Sequence, residues 1–328
     1  MATVGDSYFE QQLTARRERL QAAVPHNGAG EEIARLVAEV DAALDRLHNG
    51  TYGICEICHE AVEAESLLAN PLTRICLDHL SPREARGLEA DLEMAARIQR
   101  ALLPPQNLCV HGWDVHYHYE PLGPVSGDFC DLIVAAPPAG ELFFILGDVS
   151  GKGVAASLLM SHLHAMFRSL ATVKQPLDQM MALANRLFCQ STISGQFATL
   201  VAGRADSSGR IELVSAGHPP ILVLGHDGLS RVESSGFPLG MFCEAQFPAQ
   251  SLKIEPGESL LFYSDGVTES RNASGEEYGV ERLAEFSERN RRHVPAQLVD
   301  SCLAELRAFA GAQPRNDDLT LMALGRAA

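Results

Sequence analysis

The chain of 328 residues is short of three things. It has no stretch near eighteen consecutive apolar residues, which argues against a membrane-spanning helix. Basic residues are scarce: 26 Lys and Arg face 42 Asp and Glu, a formal charge of −16 that repels phosphate backbones and anionic lipid. Cysteine is thin as well, eight in all, far below what a disulfide scaffold of this length needs. The first twenty residues carry Asp6, Glu10, Arg16, Arg17, Glu18 and Arg19, where a secretory signal would place an apolar run. The expectation is a cytoplasmic protein with no membrane association and no direct nucleic-acid partner.

Hydrophobic residues make up 46% of the chain, enough for more than one core, and the length points to two domains. From Phe9 to Leu20, and again from Ile33 to Leu47, apolar residues fall at helical spacing. Pro25, Asn27, Gly28 and Gly30 interrupt the pattern and Asn49-Gly50 ends it, which predicts a helical hairpin. A later charged stretch keeps Leu88, Leu92, Ala95, Gln99 and Leu102 in step until Pro104-Pro105. That spacing fits a connecting helix, either packed within the chain or forming the seam of a homodimer, since two heptads do not decide between them.

Beyond residue 110 the texture becomes β-rich, in short runs at 142–146, 197–202, 211–215, 221–224, 259–264 and 319–324. Helical patterns lie at 154–170, 176–189, 280–290 and 295–310. Strands and helices arrive in groups instead of strict alternation, which favours an α+β class with antiparallel sheets.

The cysteines are unevenly placed. Cys109, Cys130, Cys189, Cys243 and Cys302 are scattered singly and read as reduced thiols. Cys55-x2-Cys58 followed by Cys76-x2-His79 supplies three thiolates and an imidazole in two knuckles, the donor set of one structural Zn²⁺; the ligand types also admit iron. His59 competes with His79, but the two-residue gap of each knuckle favours His79. Tyr52-Gly53-Ile54-Cys55-Glu56-Ile57-Cys58, following a helix that ends Asp45-Arg46-Leu47-His48-Asn49-Gly50, resembles the DksA/TraR zinc-finger family over about residues 1–82. Some members of that family insert an acidic hairpin tip into RNA polymerase. Here the tip, Val24 to Gly30, holds no carboxylate, so the module is read as structural, dimerising or sensory.

Four acidic motifs stand where β runs meet loops: Ser126-Gly127-Asp128-Phe129-Cys130-Asp131, Gly147-Asp148-Val149-Ser150-Gly151-Lys152-Gly153, Ser264-Asp265-Gly266 and Asn316-Asp317-Asp318-Leu319-Thr320. Hard oxygen donors of this kind select Mg²⁺ or Mn²⁺. Two such ions roughly 3.5–4 Å apart activate a shared water and neutralise a phosphoryl group during in-line attack. Lys152 lacks the glycine spacing of a nucleotide-binding phosphate loop. His116, His118, His162, His164 and His218 read as core or surface residues, and Ser150 and Ser264 have no paired base in their motifs to make them nucleophiles.

The four motifs, with Ala95-Ala96-Arg97-Ile98-Gln99-Arg100-Ala101-Leu102-Leu103-Pro104, Ala216-Gly217-His218-Pro219-Pro220 and Pro238-Leu239-Gly240, resemble the metal-dependent protein phosphatase (PPM) family in its SpoIIE/RsbU branch, over about residues 90–326. The resemblance implies a sandwich of two antiparallel sheets flanked by helices, with two Mg²⁺ or Mn²⁺ at one edge. It implies that Asp148 bridges both ions, helped by the carbonyl of Val149, that Asp128 sits on the first-ion side, and that Asp265 and Asp317 hold the second ion. Asp318 is expected not to be a ligand, and Asp131 to lie behind the ligands. Animal-type members carry a phosphate-gripping arginine ahead of the first motif; none lies between Trp113 and Asp128 here.

The domains are then 1–82, a helical hairpin with the zinc finger; 83–105, the connecting helix; and 106–328, the phosphatase domain. The implied function is hydrolysis of phosphoserine or phosphothreonine on a phosphorylated signalling protein such as an anti-sigma-factor antagonist, regulated by the zinc module. A catalytically silent scaffold and a transcription regulator acting on RNA polymerase through the zinc module are the rival readings. Occupied acidic positions weigh against the first, and net charge with a neutral hairpin tip against the second.

Overall fold

The computed structural model describes residues 4–22, 30–79, 82–135, 140–192 and 195–327. The chain divides into two units, Met1–Asp91 and Leu92–Ala328. In the first, α1 (Val4–Ala22) and α2 (Gly30–His48) form the expected hairpin. The apolar stripe of α2 meets α1 through Leu13, Val40 and Ala43, all fully buried, and an Arg17–Asp41 ion pair at 2.7 Å flanks the contact. Residues 23–29, most of the acid-free tip, lie outside the described residues. A short helix, α3 (Ala64–Ala69), and a 3-10 turn at Leu77–His79 complete the cysteine module, and α4 (Pro82–Leu102) leads into the second unit.

The second unit runs β1 (Asn107–Val110), β2 (Trp113–Glu120), β3 (Phe129–Val134), β4 (Leu142–Val149), α5 (Gly153–Leu170), α6 (Leu177–Ser191), β5 (Ala198–Ala205), β6 (Arg210–Ala216), β7 (Ile221–Gly225), β8 (Gly228–Val232), β9 (Gln250–Lys253), β10 (Ser259–Tyr263), α7 (Asp265–Thr268), α8 (Gly279–Arg289), α9 (Pro295–Ala310) and β11 (Leu319–Arg326). One sheet has the order β1-β2-β11-β10-β7-β8, the other β3-β4-β5-β6-β9. Every ladder in both is antiparallel. The α+β sandwich of two antiparallel sheets is thus the observed class.

Why the sheets stack is legible in β4, Leu-Phe-Phe-Ile-Leu-Gly-Asp-Val. Leu142, Phe144 and Leu146 face the other sheet, where Phe144 meets Phe262 of β10 at 5.2 Å. Phe143 and Ile145 point the opposite way, under α5 and α6. A strand buried on both faces has no polar side to show, so its run is continuous instead of alternating. Helices α8 and α9 cover the outer face of the other sheet through Leu283, Phe286, Leu298 and Leu303. No helix among the described residues is long and apolar enough to cross a membrane.

The stripe on α4 turns inward at its C-terminal end. Gln99 is buried and brackets one peptide: its Nε2 donates to the Ser126 carbonyl at 2.7 Å and its Oε1 accepts the Ser126 N–H at 3.0 Å. This end of the helix is therefore an intrachain packing element.

One thiol assignment is corrected. Cys189 of α6 and Cys243 form a disulfide, with Cα atoms 5.8 Å apart. They are 54 residues apart in sequence, and spacing alone says nothing about their proximity. Asn185, buried on the same helix, brings them together: its Nδ2 donates to the carbonyls of Phe242 and Cys243 and its Oδ1 accepts the Gly240 N–H. Closing a loop of that length restricts the unfolded chain by about 4 kcal/mol. Peptide mapping of oxidised protein is expected to recover residues 189 and 243 linked. Cys243→Ser should lower the unfolding free energy of the oxidised protein by several kcal/mol, and adding reductant to that variant should change nothing further.

Candidate functional site

The sandwich brings the four acidic motifs to one end. Asp148 closes β4, Asp128 directly precedes β3, Asp265 follows β10, and Asp317 sits two residues before β11. Each is held by backbone on a rigid strand end. Thr320 of β11 donates from Oγ1 to Asp128 Oδ2 at 2.6 Å, and Thr320 and Ser264 exchange hydrogen bonds across the two strands, N–H to Oγ and N–H to O, both at 3.0 Å. Two glycines allow the close approach. A Cβ on Gly127 would stand 2.9 Å from the Val149 carbonyl and 3.6 Å from Asp148 Oδ1; one on Gly266 would stand 1.9 Å from the Asp318 carbonyl. A side chain at Gly127 would push on the Val149 carbonyl, and one at Gly266 on the backbone of Asp318.

The electrostatics are unusual for a folded interior. Asp128 is 1% exposed, and burial lifts its carboxyl to about 7 against hydrogen bonds from Thr320 and Ser264. Asp148 is lifted further, to about 9, by burial and then by Asp128, Asp265, Asp317 and Asp318. Asp265 is raised by burial and by Asp317, with Lys152 pulling the other way. Buried like charges of this kind require positive charge to ionise together. The donors are hard oxygens, so the residues fit divalent ions of the Mg²⁺ or Mn²⁺ type.

Asp318 and Asp131 sit beside this group but do other work. Asp318 accepts the Leu122 N–H on one oxygen at 2.7 Å and the Gly127 N–H on the other at 2.9 Å, tying down the loop that carries Asp128. Asp131 is 2% exposed; burial raises its carboxyl, but bonds from His164 and Arg168 outweigh it and hold it below the usual range. Arg168 grips it at 2.7 and 2.8 Å, which pins α5 to β3.

The histidines stay structural. His162 meets the Ser191 hydroxyl at 2.8 Å, and His116 and His118 meet Asn107 and Glu120. Burial pushes His218 down to about 3, so the ring is neutral, and its Nδ1 lies 3.1 Å from Thr199 Oγ1. Sequence reasoning missed the supports, Thr320, Gln99 and the Asp318 clamp. Only Thr320 carried a local sign, an inward-facing residue at the start of a buried strand.

The cysteine module makes a second, tighter cluster. Cys55, Cys58, Cys76 and His79 have ligand atoms all within 4.8 Å of one another, the one such set among the described residues. Cys58–Cys76 is 3.8 Å, Cys55–His79 3.9 Å and Cys76–His79 3.1 Å. Thiolates about 2.3 Å from a tetrahedral ion stand about 3.8 Å apart, so the geometry fits zinc. His79, not His59, joins the set, its N–H bonded to the Cys76 carbonyl in the second knuckle. The Cys58 backbone N–H draws the Cys55 thiol down to about 6, while burial and the neighbouring thiols push Cys76 up to about 11.

Two stacked antiparallel sheets with acids at one edge define the class of the PP2C-type phosphatase domains. The SiaA-PP2C domain of Pseudomonas aeruginosa superposes with a TM-score of 0.64 over 74% of this chain and 98% of that domain, at 17% identity, a likeness of fold. Residues 138–327 match the family of Stage II sporulation protein E (SpoIIE), and the chain belongs to it. Protein IcfG of Synechocystis sp. is 29% identical over 72% of this chain and 41% of that protein. Phosphoserine phosphatase RsbU of Bacillus subtilis is 24% identical over 73% of this chain and 71% of that one. The chain thus spans less than half the length of IcfG.

The raised carboxyls set a pH dependence. Asp128 and Asp148 hold protons more tightly folded than unfolded, where carboxyls titrate near 4. Their contribution to stability is therefore present at low pH and lost as pH rises from about 4 through about 9. Metal-free Asp148→Asn is expected to melt above wild type at pH 8, with the gap closing towards pH 4. Mn²⁺ should raise the wild-type melting temperature and leave the variant unmoved. Thermal melts across pH, with and without Mn²⁺, check both.

Proposed function

We propose that this chain is a Mg²⁺- or Mn²⁺-dependent protein serine/threonine phosphatase whose substrate is a phosphorylated signalling protein of the anti-sigma-factor-antagonist kind. The observation that carries it is the set of aspartates at the sheet edge, Asp128 buried and Asp148, Asp265 and Asp317 half-buried, with burial and neighbouring acids raising the carboxyls of Asp128, Asp148 and Asp265. Asp148, with the Val149 carbonyl beside it, would be shared between the ions, Asp128 would serve the first, and Asp265 and Asp317 would serve the second. Divalent ions bound there supply a water of lowered pKa and neutralise the phosphoryl charge. The protein's own part is rigid placement: Thr320 orients Asp128, Asp318 holds its loop, and the Gly127 and Gly266 backbones let the acids approach. The likeness to RsbU, a phosphoserine phosphatase, further supports this reading.

The module at 1–82 serves as a structural Zn²⁺ site that regulates the domain at 106–328, and the helix at 83–105 is the route between them. Gln99, on that helix, grips the peptide two residues before Asp128, so a shift of the helix displaces a ligand loop. The exposed Leu88, Met94 and Ile98 on the same helix offer a second copy of the chain an apolar seam. The protein is cytoplasmic in this reading and touches neither nucleic acid nor membrane.

Hydrolysis of a phosphoserine peptide by the full chain is expected only with Mn²⁺ or Mg²⁺, and Asp148→Asn should lose at least a thousandfold of it. Absence of turnover in the metal-loaded wild type refutes the reading. Separately, metal analysis of the purified chain should find one zinc per molecule, abolished in Cys76→Ser while the sheet-edge Mn²⁺ sites keep their affinity.

A further inference from the structure

A phosphoryl group in transfer carries charge on its non-bridging oxygens that a side-chain cation can hold beside the ions, and no arginine lies between Trp113 and Asp128. Arg315, two residues from Asp317, is occupied elsewhere: its guanidinium donates to the carbonyls of Glu120 and Pro121 and pairs with the Glu120 carboxylate at 3.3 Å. Arg168 is held by Asp131. The cation facing the acids is Lys152, from the loop between Asp148 and α5. Its Nζ lies 2.8 Å from Asp317 Oδ2 and also meets the Asn316 carbonyl.

Three features of that contact matter. The lysine side chain is 54% exposed, so it stands at the solvent side of the cluster, where a substrate arrives. Among the described residues its fixed partners are Asn316 and Asp317, and a four-carbon stem with rotatable donors swings without backbone change. The oxygen it rests on belongs to a proposed metal ligand, so an ammonium and a divalent ion compete for one carboxylate. Were Asp317 to hold an ion, the ammonium would be free to turn outward.

We propose that Lys152 is the side chain that grips the substrate's phosphoryl group, resting on Asp317 until metal and phosphate arrive. This rests on the phosphatase reading and names the group that the missing arginine leaves unassigned. Lysine supplies a point charge where arginine supplies a flat fork, so it holds a phosphoryl dianion without demanding one orientation.

The test uses the full chain as wild type, Lys152→Met and Lys152→Arg, with three readouts: calorimetric binding of inorganic phosphate to the Mn²⁺-loaded protein, Mn²⁺ binding itself, and KM and kcat on a phosphoserine peptide. Losing one charge-assisted bond to phosphate costs about tenfold or more in affinity. Lys152→Met should weaken phosphate binding by that factor and raise KM with it, with Lys152→Arg recovering most of both. Mn²⁺ should bind Lys152→Met as tightly as wild type or more tightly, because a competitor is gone. Unchanged phosphate affinity in Lys152→Met, or no phosphate binding by the loaded wild type, overturns the assignment. Weaker Mn²⁺ binding in Lys152→Met also overturns it, by making the lysine a brace for Asp317. If phosphate binding falls as expected but the wild type turns over no phosphopeptide, the phosphatase reading fails and the phosphate grip stands.

Discussion

Burial of several carboxylates close together is the constraint on which the sandwich half of this molecule depends. Asp128 is sealed from solvent and Asp148 feels four other aspartates. A fold ordinarily keeps such groups apart or pairs them, because an unpaired buried charge is among the most expensive things a protein can hold. Here the backbone drives them together: strands from two sheets end at the same edge, and glycines remove the side chains that would keep them apart. Protons or cations in the gap relieve that cost, and the donor set suits divalent ions.

The rest of the sandwich can be understood as what keeps that edge rigid. Phe144 against Phe262 locks the sheets face to face, while Asp131 and Arg168 lock α5 to β3 on the outer side. Asp318, chemically a candidate ligand, spends both oxygens on backbone N–H groups instead. Its neighbour Asp317 accepts the Asp318 N–H on one oxygen and meets Lys152 with the other. Gln99 adds the same kind of hold from α4, and it makes the helix mechanically continuous with the Asp128 loop.

Much of this was legible in the sequence. The doubly buried strands β4, β10 and β11 are continuous apolar runs, and α5, α6, α8 and α9 start and stop within two residues of the positions their periodicity indicates. Strands β8 and β9 escaped notice because they lie at sheet edges and bury little, so neither carries a hydrophobic run. The acidic motifs were readable because each is a short local pattern. Their supports were not: Asp318 to Gly127 spans 191 residues and Thr320 to Asp128 spans 192, and nothing local in a sequence encodes such a pairing. The Cys189–Cys243 bond was misjudged for the same reason, while the Cys55, Cys58, Cys76 and His79 set was readable because its ligands come from two compact turns.

The most direct test is anomalous diffraction at the manganese edge from crystals of the full chain grown with Mn²⁺. Two peaks are expected, roughly 3.5–4 Å apart, with Asp148 between them, Asp128 on one side and Asp265 and Asp317 on the other. Peaks lying elsewhere, or none within carboxylate reach of Asp148, would contradict the claim that these acids exist to hold a pair of ions.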